Sequence, residues 1–157
     1  FKSFSMLNRD ELKEIISNLV PEAEFPEGTQ LPEMIVPVAK LAELVEKLKT
    51  NPKTLFDYMI NHTAVDFNTH FMTVYHFEST THKHLLVVKV KIDDRENPET
   101  ESLATLYPTC EFFEREVFDL FGIRYKNHPN LKRLFLEDDY GHPLRKDFRD
   151  EVNMIER

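Results

Sequence analysis

Glu114 and Glu116 are the first candidates for acid–base chemistry. They stand in the run Glu114-Arg115-Glu116-Val117-Phe118-Asp119-Leu120-Phe121-Gly122-Ile123. On a helix, residues two apart point about 200° away from each other, so the two carboxylates do not form an acid/base dyad. His82 and His84 flank Lys83 and would share one face of a strand, where a third ligand would complete a metal site. No carboxylate or cysteine adjoins them in sequence, and a polar strand end accounts for the pair. His128 and His142 each precede a proline; they could titrate near neutral pH, but a turn or interface role fits them better than general-base catalysis. Cys110 is the one cysteine. An iron–sulfur cluster takes about four thiolates, so this chain has too few to hold one. None of the three glycines stands in a GxGxxG or GxxxxGK[ST] arrangement, which argues against a phosphate-cradling nucleotide site. No GxSxG nucleophile elbow occurs.

The elements that must carry these residues can be read from periodicity. Asn8 can cap a helix in which Leu12, Ile15, Ile16 and Leu19 recur at helical spacing, and Pro21 ends it. Met34-Ile35-Val36 reads as a short strand closed by Pro37. A second amphipathic helix covers about residues 38–49, with Leu41, Leu44, Val45 and Leu48 on one face, and Asn51-Pro52 breaks it. Phe71 to Phe77 alternates as a half-buried strand, Ser79-Thr80-Thr81 turns the chain, and Leu85 to Ile92 is a β-branched-rich strand. Residues 93–101 form a charged loop. Pro108 suits the first position of a helix that runs to Phe121, with Gly122 as its left-handed C-cap. On that helix Glu111, Arg115 and Asp119 are four apart and would form an ion ladder. Glu114 has apolar helical neighbours, among them Cys110, Val117, Phe118 and Phe121. A carboxylate on such a face needs a cation or a backbone donor; Arg133, Arg145 or a partner's arginine are candidates, unless Glu114 lies only at the edge of the face. Cys110 on the same face reads as a small buried thiol.

The 157 residues, 41% of them apolar, suit one compact domain with an appendage. There is no apolar run of about 18 residues and no signal-peptide pattern. With a single cysteine no internal disulfide can form, and a cytosolic compartment is expected. The net charge of −8 argues against general nucleic-acid binding, yet residues 122–149 carry seven Lys or Arg against four acids. From Arg124 to Arg157 neither helical nor strand periodicity lasts. Leu131, Leu134, Phe135, Leu136, Tyr140, Leu144 and Phe148 make this stretch too apolar for a solvating tail. The sequence therefore divides into a core domain, residues 1–122, and an extended basic C-terminal arm, residues 123–157, that needs something to lie on.

The string Glu114-Arg115-Glu116, Asp119-Leu120-Phe121-Gly122-Ile123, His128-Pro129, Leu131, Arg133 and Gly141-His142-Pro143-Leu144-Arg145-Lys146-Asp147 resembles the signature of the C subunit, the 30-kDa-type subunit, of respiratory NADH:quinone oxidoreductase (complex I). Ala64-Val65-Asp66 before a strand pair, and Ser102 leading to Pro108, also fit, so the similarity spans about residues 30–150. Phe112 stands where the family tends to have Trp, and Cys110 where a small Ala is usual; both keep the helix face apolar. The resemblance implies a two-layer α+β domain, with a mixed sheet and helices on one face. It also implies a non-catalytic peripheral-arm subunit with no cofactor of its own, in a complex that uses NADH, FMN, iron–sulfur clusters and quinone. Its expected partners are the quinone-site D subunit and the cluster-bearing B subunit, on the cytoplasmic side of the cell membrane. Glu114, Arg115, Glu116, Asp119, Gly122, His128, Pro129, Arg133, His142, Pro143, Leu144, Arg145, Lys146 and Asp147 would then form the signature and partner interface. The equivalent subunit of a group 4 membrane-bound hydrogenase, or of a ferredoxin- or F420-linked relative, is the alternative.

Overall fold

Alternation of large apolar residues builds the central sheet. In the computed structural model, which describes residues 9–132 and 141–148, β3 (Phe71–Ser79) and β4 (His84–Ile92) pair antiparallel with Phe71, Thr73, Tyr75 and Phe77 opposite Ile92, Val90, Val88 and Leu86. Residues directly opposite share a face, so these eight form the inner face. β1 (Glu33–Val36) adds parallel to β4, with Met34 beside Val88 and Val36 beside Val90. β2 (Tyr58–Asp66) adds antiparallel to β3 on the other side, and the sheet order is β1-β4-β3-β2. One parallel and two antiparallel ladders make the sheet mixed, as expected. The turn after β3 extends to Lys83, which takes a left-handed φ of 58°.

The helices lie against this inner face. α1 (Arg9–Leu19) buries Leu12 and Ile16; Asn8, its expected cap, lies outside the described residues. The second helix begins as a single 3-10 turn, Val38–Lys40, before α2 (Leu41–Thr50). Leu41, Leu44, Val45 and Leu48 are all buried, as their spacing requires. Asn51 is extended (φ −67°, ψ 125°), the conformation forced on a residue before proline, and α2 stops there. α3 (Cys110–Phe121) starts two residues after Pro108 and ends on Gly122 with φ 77°. Buried residues of all three helices join the inner face in one apolar core.

Two parts of the fold depart from the sequence reading. β2 has no clear alternating signal, because two of its inward positions are the polar His62 and Asp66 and a bulge between Met59 and Asn61 shifts the register. The second departure concerns the charged loop and the start of the arm. β5 (Glu99–Glu101) and β6 (Arg124–Lys126) pair parallel, with Thr100 beside Tyr125. Ile123 and Tyr125 are core residues. The chain therefore stays in the body past residue 122, and the charged flanks of Thr100 and Tyr125 hide two strands too short to show a period.

Tyr125→Ala should accordingly destabilise the whole chain by roughly 3–5 kcal/mol, the cost of removing a buried aromatic ring. Urea unfolding of the variant would measure it. A change within about 0.5 kcal/mol, the range of surface substitutions, would put residue 125 on a dispensable arm.

Candidate functional site

α3 is the beam on which the signature residues are arranged. Its N-terminal half holds Glu114, completely buried. Glu114 Oε1 accepts hydrogen bonds from Ser102 Oγ (2.9 Å), the Leu103 amide (2.9 Å) and the Cys110 thiol (3.2 Å). Glu114 Oε2 is buried without a partner, and the buried hydroxyls of Tyr75, Thr73 and Thr100 lie close to one another nearby. Burial pushes the carboxyl up to about 7, against the hydrogen bonds that pull it down. Burial likewise drives the Cys110 thiol well above its ordinary range, leaving it a protonated donor rather than a nucleophile. Of the partners open to Glu114 in the sequence, the structure supplies a backbone donor. Arg145 lies elsewhere, and Arg133 is outside the described residues.

Beside this cluster, His62 is fully enclosed. Its Nδ1–H donates to Val74 O (3.0 Å), so Nε2 accepts the Tyr125 hydroxyl at 2.6 Å. Tyr75 stacks on the ring at 4.1 Å. Burial drops the imidazole to about 3, so it is neutral.

The two His-Pro pairs do matching work at the two ends of α3. His128 Nε2–H donates to Glu111 O (3.2 Å) in the first turn, while its Nδ1 accepts the Asn130 amide (2.9 Å). His142 Nδ1–H donates to Asp119 O (3.0 Å) in the last turn. The Leu144 amide then donates to Leu120 O at 2.9 Å, so the returning chain occupies helix-end carbonyls that have no partner within the helix. Gly122 is needed twice here. Its φ is left-handed, and a Cβ would stand 2.7 Å from His142 Cδ2.

Beyond Leu144 the segment reaches the β2–β3 turn. Arg95 forks onto both oxygens of Asp66, with Nη2 to Oδ2 at 3.1 Å. The same carboxylate accepts the amides of Lys146 (2.8 Å) and Asn68 (2.8 Å). Burial pushes the Asp66 carboxyl up, but these donors outweigh it and bring it down to about 2. Arg145 donates to Arg95 O. The guanidiniums of Arg95 and Arg145 lie 4.6 and 5.0 Å from the centre of the Phe71 ring, and Asp147 stands 3.7 Å from Arg95 and 3.8 Å from Arg145. The result is a clasp: residues 141–148 close on the body through α3, Gly122, Asp66, Arg95 and Phe71.

The remaining signature residues fall into place around it. Asp119 is completely buried, and the expected ion ladder of Glu111, Arg115 and Asp119 does not form among the described residues. Arg115 instead reaches Lys132 O (3.4 Å) and lies over the Phe112 ring. Glu116 and Pro129 are exposed, and Pro143 is half-buried. His82 and His84 donate through Nε2 to Pro52 O (2.7 Å) and Thr54 O (2.9 Å), fastening the turn after α2. Among the described residues no cluster of three or more His, Cys, Asp or Glu could hold a metal. Sequence reasoning missed the body side of the clasp, Asp66, Arg95 and Phe71. Asp66 stood out only as part of Ala64-Val65-Asp66, and nothing local marks Arg95 within its charged loop.

Two outcomes test this geometry. Glu114 binds its proton more tightly folded (about 7) than at the ordinary carboxyl value of 4.5. Its contribution is therefore fully present below about pH 4.5 and is lost as pH rises to about 7, by roughly 3 kcal/mol. Urea unfolding of wild type and Glu114→Gln across pH 4.5–8 should show this loss in wild type only; parallel curves would mean the carboxyl titrates normally. Asp66→Asn should loosen the clasp, so that trypsin cuts after Arg145 and Lys146 faster than in wild type. Unchanged cutting at those bonds would mean that Asp66 does not hold the segment.

Comparison with known proteins gives the family. Residues 34–152 match the model of the family described as respiratory-chain NADH dehydrogenase, 30 Kd subunit. The chain is 40% identical over 143 residues to the C subunit of NADH-quinone oxidoreductase from Moorella thermoacetica, covering 89% of this chain and 95% of that one. It is 39% identical over 122 residues to the C/D subunit of the same enzyme from Phocaeicola vulgatus, covering 76% of this chain and 23% of that one. Against the C subunit from a Roseiflexus species the identity is 39%, over 74% of this chain and 65% of that one. A chain in the solved structure of the membrane-bound sulfane sulfur reductase, an archaeal respiratory membrane complex, superposes with a TM-score of 0.76 at 26% identity, covering 92% of this chain and 87% of that chain. By the family model over residues 34–152 and by the Moorella relative, this chain belongs to the 30 Kd subunit family of the respiratory-chain NADH dehydrogenase.

Proposed function

We propose that the chain is a non-catalytic scaffold subunit of the peripheral arm of an NADH:quinone oxidoreductase-type complex. It docks on the quinone-site D subunit, touches the cluster-bearing B subunit, and lies on the cytoplasmic face of the membrane. It holds no redox cofactor itself; NADH, FMN, iron–sulfur clusters and quinone belong to the rest of the complex. One observation carries this reading: the signature's two histidines, Glu114 and the clasp arginine are engaged in holding backbone, and none is poised in a cleft as acid, base or nucleophile. The Phocaeicola relative, whose name joins C and D, supports D as the neighbour. No helix among the described residues is long and apolar enough to cross a membrane, which fits attachment through other subunits.

The likeness to a chain of the sulfane sulfur reductase complex supports a second reading, the equivalent subunit of a related membrane-bound complex with a different donor or acceptor. A group 4 hydrogenase or a ferredoxin- or F420-linked enzyme is of that kind. Purifying the native complex through this chain and naming its other subunits separates the two.

Arg145→Ala tests the scaffold role. The clasp opens, less complex assembles, and membrane NADH:quinone activity falls in proportion, with turnover per assembled complex unchanged. Native-gel quantification paired with activity reads both quantities. Normal assembly with lost turnover would give the segment a part in the chemistry instead.

A further inference from the structure

Glu116 is a signature carboxylate with no role in holding the fold among the described residues. Glu114 and Asp119 are buried and Arg115 meets Lys132 O, but Glu116 is exposed and makes no hydrogen bond or ion pair among the described residues. It lines a groove of about 200 Å³ between α3 and the edge of β2, with Asn61, Thr63, Leu120 and Leu144. β2 is the last strand in the sheet order, so its outer edge pairs with no strand among the described residues. The apolar part of its lining is Val117, Leu120, Phe121 and Leu144, and α3 and the β2 stretch carry further exposed apolar residues outside it. Phe112, one helical turn before Glu116, is 59% exposed and Leu144 is 47% exposed. On the strand side Tyr58, Ile60, Val65 and Phe67 are exposed. His62 at the groove wall is neutral, so no positive charge there repels a cation.

We propose that this groove is the docking site for an extended segment of a partner protein, alternating basic and apolar residues, laid along the edge of β2 with a Lys or Arg on Glu116. The shape follows from the strand: β2 has nine residues, about 30 Å of edge that pairs with no strand among the described residues and can accept one, with the His62 amide there held by Asn61 Oδ1 at 2.9 Å until a partner displaces it. The alternation follows from the walls. Successive side chains of an extended segment point to opposite sides, here towards the Glu116 carboxylate and towards the apolar row on β2. The charge follows from Glu116 itself, the exposed carboxylate in the lining of the groove, which has no ion-pair partner among the described residues. The proposal rests on the scaffold reading and names the surface that reading uses.

The test compares the free chain with the chain in its purified native complex. Carbodiimide with glycine ethyl ester amidates accessible carboxylates, and amide hydrogen exchange reports the edge of β2. Glu116 should be labelled in the free chain and protected on the order of tenfold in the complex, with β2 amides exchanging more slowly there. Glu116→Lys should fold with an unchanged melting temperature and co-purify on the order of tenfold less partner; Glu116→Gln should fall between. Equal labelling in both states, β2 exchange unchanged on assembly, or normal assembly of Glu116→Lys each overturns the docking site and leaves the scaffold reading intact. A free chain that is already a dimer with Glu116 protected also overturns it, by assigning the groove to a second copy. A wild-type chain that recovers no partner from membranes overturns the scaffold reading and the docking site together.

Discussion

The Asp66 carboxylate is nearly out of reach of water, and three stretches of chain are tied to it: the β2–β3 turn through Asn68, the loop after β4 through Arg95, and the returning segment through the Lys146 amide. A buried carboxylate is costly unless its oxygens are met by donors. Here a two-pronged guanidinium and two backbone amides meet them, so each stretch is held in place by the need to satisfy the others. The depressed carboxyl follows from the same donors. Its contribution to stability is present above the ordinary aspartate range and is lost as pH falls towards 2. Phe71 completes the arrangement by giving both guanidiniums an aromatic face on which to lie.

Glu114 shows the opposite balance at the other end of the molecule. It too is buried and accepts several hydrogen bonds, but only from a hydroxyl, a thiol and an amide, with no cation beside it. Without a compensating positive charge, loss of hydration dominates and the carboxyl rises to about 7, whereas the Asp66 carboxyl falls to about 2. The two acids are thus separated in behaviour by the cation that only Asp66 has and by the deeper burial of Glu114. That difference explains why the α3 end of the core tolerates a neutral acid among tyrosines, while the clasp depends on a charged one.

How far the sequence revealed all this depended on whether an interaction was local. Leu41, Leu44, Val45 and Leu48 announced their helix because burial there follows a single period, and Gly122 announced a helix end because few other residues take its φ. β2 stayed hidden because its inward side includes His62 and Asp66, whose burial makes sense only beside Tyr125, Arg95 and Lys146, all distant in sequence. The tail's long apolar and basic composition raised the expectation that it needs cover. It could not signal that the cover for Gly141 to Phe148 comes from the chain's own body, because the receiving residues carry no pattern of their own. For the signature, order and spacing were legible, but the division of labour between its buried acids and its exposed Glu116 was not.

The position of the clasp along the chain has a consequence for synthesis. The strands β2, β3 and β4 are consecutive and can pair as soon as Ile92 has left the ribosome, since chains emerge at roughly 5–20 residues per second and fold as they do. Asp66 then waits for an amide that is eighty residues further on, and the end of α3 waits for His142 and Leu144. Until residue 148 is made, the nascent body carries a buried acid short of one donor and a helix end with open carbonyls. A surface that includes Leu144 therefore forms only on a chain translated through the clasp.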